Sequence, residues 1–215
     1  MNMSLINDFE NSIINLEIEK AVDICKKIVS SKEVPMDDIF KSISKALDIV
    51  GKKYENNEYF LSELIMAGEI VKEILKIIEP FYKKDNKKSI ATVVLATVKG
   101  DLHDIGKNIV AMLLQSSNFK VIDLGVDVSS KDIVKAVKNN NANILGLSAL
   151  LTTTIPEFKN VVQELKKEGI RDKVKVIIGG ASVNEKVAKD SEVDAWARTA
   201  IDGLKICKQW IGELK

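Results

Sequence analysis

The chain has 215 residues, enough for one large domain or two modest ones, and carries 32 Lys and Arg against 31 Asp and Glu. So even a balance, with no basic block, argues against nucleic-acid or membrane-surface binding by bulk charge. Residues 1–8 lack the basic start and apolar core of a signal peptide, and no apolar run approaches the roughly 18 residues of a membrane span. Cys25 and Cys207 are too few for a disulfide framework, so a cytoplasmic protein is expected. One histidine and two scattered cysteines also exclude an ordinary zinc site of N and S ligands.

Up to about residue 82 no stretch reads as a strand. Leu5, Phe9, Ile13 and Leu16 recur at helical spacing, and Glu17–Val29 does the same with Ala21, Ile24, Cys25, Ile28 and Val29. A third helix is expected from near Pro35, whose missing N–H suits a first helical turn, with Ile39, Ile43, Ala46, Leu47, Val50 and Tyr54 on one face. After a break at Asn56-Asn57, Leu61, Leu64, Gly68, Val71, Leu75 and Ile78 alternate by three and four as a fourth helix with these residues as core, ended by Pro80. Four such helices with short connections predict a small antiparallel four-helix bundle. The polar run Lys83–Lys88 reads as the linker, which puts a helical domain at 1–85 and a second domain at 89–215.

Beyond the linker, strand and helix patterns alternate. Strands are expected at Ile90–Val98, Lys120–Leu124, Ile144–Ser148, Val174–Ile178 and Val193–Trp196, with helices near 105–117, 131–139, 156–168, 183–190 and 200–211. The first strand is continuously apolar and β-branched, as a strand buried on both faces should be. The expected class is α/β, a doubly wound five-stranded parallel sheet of Rossmann-like type. Right-handed crossovers favour the flavodoxin-like order 2-1-3-4-5.

In such sheets ligands bind outside the carboxyl ends of the strands. Strand one ends in Gly100-Asp101-Leu102-His103-Asp104-Ile105-Gly106-Lys107, which holds the one histidine of the chain. Strand two ends in Leu124-Gly125-Val126-Asp127, strand three in Ser148-Ala149-Leu150-Leu151-Thr152-Thr153-Thr154, and strand four in Gly179-Gly180-Ala181-Ser182. Glycines at these ends admit a ligand close to the backbone, and hydroxyls offer hydrogen bonds without charge. No Walker or G-x-G-x-x-G pattern follows strand one. The loops suit a long, mostly uncharged ligand lying between strands one and three.

Asp101-Leu102-His103-Asp104-Ile105-Gly106 resembles the D-x-H-x-x-G motif of cobalamin-binding domains. Ser148-Ala149-Leu150 is similar to that family's S-x-L element, and Gly179-Gly180 to its glycine pair, in matching order. The stretches Gly51–Glu55 and Tyr59–Glu69 resemble the helical cap of methyl-carrying corrinoid proteins. Nearly the whole chain is thus similar to the stand-alone corrinoid proteins of anaerobic methyltransferase systems, akin to the cobalamin module of methionine synthase.

The resemblance implies a bound cobalamin (methylcobalamin or a related corrinoid) with His103 as the lower axial ligand of cobalt. Asp101 would accept a hydrogen bond from the other ring nitrogen, fixing the tautomer and strengthening the ligand. Thr154 would stand where the relative has a serine that continues the chain of hydrogen bonds. These three are the catalytic candidates. Gly100, Asp104, Ile105, Gly106, Gly125, Ser148, Leu150, Thr152, Thr153, Gly179 and Gly180 would line the cofactor, with Gly106 leaving room for its nucleotide tail and Ser148 and Thr152 bonding its base. Tyr59 and Phe60 would cover the opposite corrin face, moving aside like a lid for each partner. Ala195-Trp196-Ala197 departs from the family's small-plus-tyrosine pattern, leaving Trp196 no role beyond the tail pocket. The cysteines read as inert buried residues.

The function implied is a methyl carrier. It would accept a methyl group on cobalt from a substrate-specific methyltransferase and pass it to a second one, with coenzyme M or tetrahydrofolate as acceptor and a reductive activator as a further partner. It would not be active alone. Two alternatives use the same fold: the cobalamin subunit of an adenosylcobalamin mutase, which normally lacks the helical part, and a cobalamin-sensing regulator. The regulator needs a DNA-binding unit, and no such segment is expected before residue 5 or after 213.

Overall fold

The structure, a computed structural model, describes residues 2–31, 33–82 and 89–213. They fall into two compact units, Met1–Lys83 and Lys84–Lys215. The stretch Lys83–Lys88, expected to be the linker, lies outside the described residues.

The first unit is four helices: α1 (Asn2–Ile14), α2 (Ile18–Ser31), α3 (Met36–Glu55) and α4 (Leu61–Tyr82). Helix α1 packs on α2 and α3, and α4 packs on the same two. Their apolar stripes meet in a core of Phe9, Ile13, Ile28, Ile39, Phe40, Ile43, Ile70, Ile74 and Ile78, all fully buried. Three details differ from the sequence reading. Leu16 lies beyond α1 with φ +61°, because the helix closes in a Schellman turn: Leu16 N–H donates to the Ile13 carbonyl and Glu17 N–H to that of Ser12. Pro80 does not end α4 but sits in its last turn, where its missing N–H removes a single hydrogen bond and the helix runs on to Tyr82. Leu61 is 63% exposed rather than core, since it opens α4 beside the exposed Phe60 and one turn before the exposed Ile65.

The second unit contains β1 (Thr92–Thr97), β2 (Lys120–Asp123), β3 (Ile144–Ser148), β4 (Lys175–Gly179) and β5 (Ala195–Ala197). All pairs are parallel and the order is β2-β1-β3-β4-β5, as expected. Alternation along β1 assigns its side chains to two cores. Val94, Ala96 and Val98 face one that includes Phe158, Val161 and Leu165 of α7 (Pro156–Lys167) and Ile133, Val134 and Val137 of α6 (Ser130–Asn139). Val93 and Leu95 face the other, with Ala111 and Leu114 of α5 (Ile105–Ser116) and Cys207 of α9 (Ala200–Glu213). A short α8 (Glu185–Asp190) joins the first layer through Ala188. Both cysteines are buried, which pushes each thiol up to about 12.

Strand ends are set by partners rather than by apolar runs. Ile90 is apolar yet outside β1, because the ladder begins where Thr92 pairs with Lys120 and Val93 with Ile144. Edge strand β5 starts two residues later than expected, since the Asp194 carboxylate, not a strand carbonyl, accepts the Val176 N–H at 2.7 Å. Among the described residues no helix is long and apolar enough to cross a membrane.

β1 lies between β2 and β3, so successive connections leave it on opposite sides and open a crevice at the carboxyl ends of β1 and β3. The loops there are pressed together. A Cβ added to Gly180, whose φ is +133°, would stand 1.9 Å from the Ala149 carbonyl oxygen. Gly180→Ala is therefore expected to cost about 3 kcal/mol or more in urea denaturation of the full chain. Unchanged stability would show that the β3 and β4 loops are not held at this separation.

Candidate functional site

The end of β1 places Asp101 under the β3 loop, where its side chain has no solvent exposure. A buried carboxylate is costly unless each oxygen finds donors, and here five are supplied. Oδ1 accepts from the His103 N–H (3.1 Å) and lies 2.7 Å from His103 Nδ1. Oδ2 accepts from the N–H groups of Leu150 (2.8 Å) and Leu151 (3.0 Å). The Thr154 hydroxyl lies 2.9 Å from both Oδ2 and the Leu151 carbonyl, and its one proton serves one of them at a time. Thr154 is set there by a one-turn 3₁₀ helix, Thr152–Thr154, that follows β3.

Burial alone would raise the Asp101 carboxyl, but the Leu151 amide, the His103 ring and amide, and the Leu150 amide outweigh it and hold the group well below the usual carboxylate range. Asp101 is therefore ionised and accepts only, so Nδ1 carries the ring proton and Nε2 is left with its lone pair. The imidazole is 53% exposed, and no described residue hydrogen-bonds Nε2. The Thr97 hydroxyl donates to the His103 carbonyl at 3.0 Å, fixing the backbone behind the ring.

The structure thus joins Gly100, Asp101, His103, Leu150 and Thr154 at one crevice. Gly100 has φ +82°, and its amide donates to Asp127 Oδ1. Asp104 stands at the N-cap position of α5, where its carboxylate makes no capping bond but accepts from the Asn108 side-chain amide at 3.1 Å, and Ile105 is half-buried in the first turn. Ser148 ends β3 opposite Thr97 on one side and Gly179 on the other. Thr152 and Thr153 are exposed on the 3₁₀ turn. Gly125 has φ +83°, and its carbonyl accepts from the Thr97 N–H.

Tyr59 and Phe60 belong to the other unit. They precede α4 rather than open it, and Phe60 N–H donates to the Glu63 carboxylate, the return bond of a capping box. The Tyr59 hydroxyl donates to the Ile14 carbonyl at 2.8 Å, with the Lys53 ammonium over its ring, while Phe60 is 70% exposed. Trp196 packs against the core under α7 and α8.

Two features escaped the sequence reading. The Leu150 and Leu151 donors are backbone groups, which no side-chain pattern reveals. Lys107 is buried and lies 2.5 Å from Asp123 Oδ2 and 2.9 Å from Asn108 Oδ1. Its position four and seven residues before the buried Ala111 and Leu114 was the available signal.

An α/β sheet with one exposed, carboxylate-oriented imidazole at its switch point defines a cofactor-binding module. The B12 binding domain family matches residues 91–205, and a second B12 binding domain family matches residues 5–79. A corrinoid protein of Desulfitobacterium hafniense is 33% identical over 99% of this chain and 100% of its own length. The structure of the Methanosarcina barkeri monomethylamine corrinoid protein superposes with a TM-score of 0.89 at 31% identity, covering 96% of this chain and 98% of that one. A chain of the methanol:cobalamin methyltransferase complex of the same organism matches with a TM-score of 0.56 at 29% identity, over 97% of this chain and 80% of that one. The chain belongs to the B12-binding corrinoid protein family.

The residues fit such a group. The exposed His103 ring, oriented through Nδ1 by Asp101, offers one ligand atom, as suits a metal whose other positions a macrocycle fills. Gly106 lies in the first turn of α5, where glycine costs about 1 kcal/mol relative to alanine, yet a Cβ there would meet nothing within 4 Å. Internal packing gives no reason for that glycine. A ligand approaching the helix start does.

Gly106→Ala should accordingly raise the stability of the cofactor-free chain by about 0.5–1 kcal/mol while weakening uptake of hydroxocobalamin. Tighter or unchanged uptake would remove Gly106 from the cofactor path. Asp101→Asn should destabilise by about 2–3 kcal/mol at pH 7, because its amide cannot accept on both sides. The depressed carboxyl contributes its stability fully above the ordinary value of 3.8 and loses it as pH falls toward the folded-state value. Thermal melts of parent and variant should therefore keep their separation down to about pH 4 and converge only below it.

Proposed function

We propose that the protein is a methyl carrier. In this reading it holds a corrinoid between the strand-end loops, receives a methyl group from a substrate-specific methyltransferase and delivers it to a second one using coenzyme M or tetrahydrofolate. The observation that carries the reading is the exposed His103 imidazole with Nδ1 engaged by a buried carboxylate at the sheet's switch point. The corrinoid, when bound, supplies a cobalt centre that takes up and releases a methyl group.

His103 is assigned as the protein's ligand to that centre, through Nε2. Asp101 keeps the proton on Nδ1, so the Nε2 lone pair stays directed outward. Thr154 and the Leu150 and Leu151 amides hold Asp101, and through it the ring, in place. Gly106, Gly179, Gly180 and the hydroxyls of Ser148 and Thr152 are assigned to the nucleotide tail, and Gly125 to the wider cofactor lining. Tyr59 and Phe60 are proposed as cofactor contacts on the resemblance of Tyr59–Glu69 to the family's helical cap.

The partner assignment is supported by the relatives' names, which include a monomethylamine corrinoid protein and a methanol:cobalamin methyltransferase complex. A reductive activator of the cobalt completes the proposed set.

His103→Ala, reconstituted with hydroxocobalamin, should still bind the cofactor but show a visible spectrum shifted away from the histidine-ligated form. An unchanged spectrum in the folded variant would overturn the ligand assignment.

A further inference from the structure

The segment that carries His103, from Lys99 to Asp104, follows the last paired residue, Val98, which bridges Val128, and has no strand ladder of its own. Its side-chain anchor is the Asp101 carboxylate. The backbone of Gly100 and Asp101 is held from outside by one residue, Asp127, at the end of the β2 loop. Gly100 N–H donates to Asp127 Oδ1 at 2.7 Å, and Asp127 N–H donates to the Asp101 carbonyl at 3.0 Å. Asp127 therefore grips the chain just before, and at, the residue that holds the imidazole.

Two independent demands meet at position 127. Its φ of +54° lies in the left-handed region, which glycine, asparagine and aspartate tolerate and most other side chains resist. The Gly100 amide also needs an acceptor on a short side chain. Glycine meets only the first demand, and serine or threonine only the second. Aspartate and asparagine meet both.

The loop bearing Asp127 is anchored at its other end. The buried Lys107 ammonium pairs with Asp123 Oδ2, and Asp123 Oδ1 accepts from the Gly125 N–H at 2.9 Å. Thr97 N–H donates to the Gly125 carbonyl (2.9 Å), and Val128 N–H to that of Thr97 (3.1 Å). Lys107 stands in the first turn of α5, four residues after His103. The contacts close a ring that runs from the His103 segment into α5, across Lys107 and Asp123 to the β2 loop, and back through Asp127.

We infer that Asp127 is a positioning residue, fixing the Gly100–Asp101 backbone so that the Asp101 carboxylate, and with it the His103 ring, keeps one orientation. The inference rests on the reading of His103 as the metal ligand. Asp127 acts through Asp101 and is assigned no contact with the cofactor.

The test compares full-length parent, D127N and D127G, cofactor-free and reconstituted with hydroxocobalamin. D127N keeps both the acceptor and the left-handed tolerance and should match the parent. D127G keeps the backbone freedom but loses the acceptor. It should raise hydrogen–deuterium exchange across residues 99–104 of the cofactor-free chain by about tenfold. In the loaded protein it should cut the histidine-ligated fraction, read from the visible spectrum, by about half or more. A folded D127G variant that merely melts lower, with parental exchange or parental ligation, overturns the proposal, as does a D127N variant as impaired as D127G. If His103→Ala leaves the spectrum unchanged, the ligand reading fails by itself, and the cofactor-free exchange comparison still decides whether Asp127 holds the loop.

Discussion

A fully buried carboxylate with five donors is the interaction on which the arrangement of the strand-end loops depends. Asp101 joins two stretches that are far apart in sequence: its own loop after β1, and the loop after β3 through the Leu150 and Leu151 amides and the Thr154 hydroxyl of its 3₁₀ turn. Buried ions are tolerated only when every acceptor direction is used, and removing one partner leaves a group that water cannot reach. The same bonds that make Asp101 tolerable keep it ionised, and the ionised form dictates the tautomer of His103. Loop packing and imidazole chemistry are in this sense one interaction.

The sheet supplies what Asp101 alone cannot. β1 is buried on both faces and lies between β2 and β3, so its end is the place where loops from three neighbouring strands converge. Two glycines at this convergence differ in their surroundings. Gly180 is needed because the Ala149 carbonyl occupies the space of a side chain, a requirement of the protein itself. Gly106 has open space around it, so no neighbouring group in the protein requires a glycine there.

The repetitive parts of the fold were legible because period and length survive without tertiary information. Helical stripes such as Ile39, Ile43, Ala46 and Val50, and the apolar run of β1, determined element type, and right-handed crossovers limited the strand order. Ends were less legible. Pro80 was read as a stop although one missing hydrogen bond in a last turn is affordable, and Leu61 was read as core although its stripe continues past the point where neighbours cover it. Of the site, the residues with distinctive chemistry stood out: one histidine, a carboxylate two residues before it, and the glycine pair after the fourth strand. Lys107 and Asp127 did not, because lysines and aspartates are common on surfaces and their partners lie 16 and 27 residues away along the chain.

By itself, the sequence determined the class of each segment and the sheet order, and it singled out the one histidine at a strand end. These follow from local periodicity and from a scarce residue type. Only the tertiary structure decided which donors reach Asp101, that Nδ1 carries the ring proton, and that Asp127 and the Lys107–Asp123 pair hold the loops around His103. Those facts depend on backbone amides and common polar side chains, whose meaning is set by what lies about 3 Å away in space.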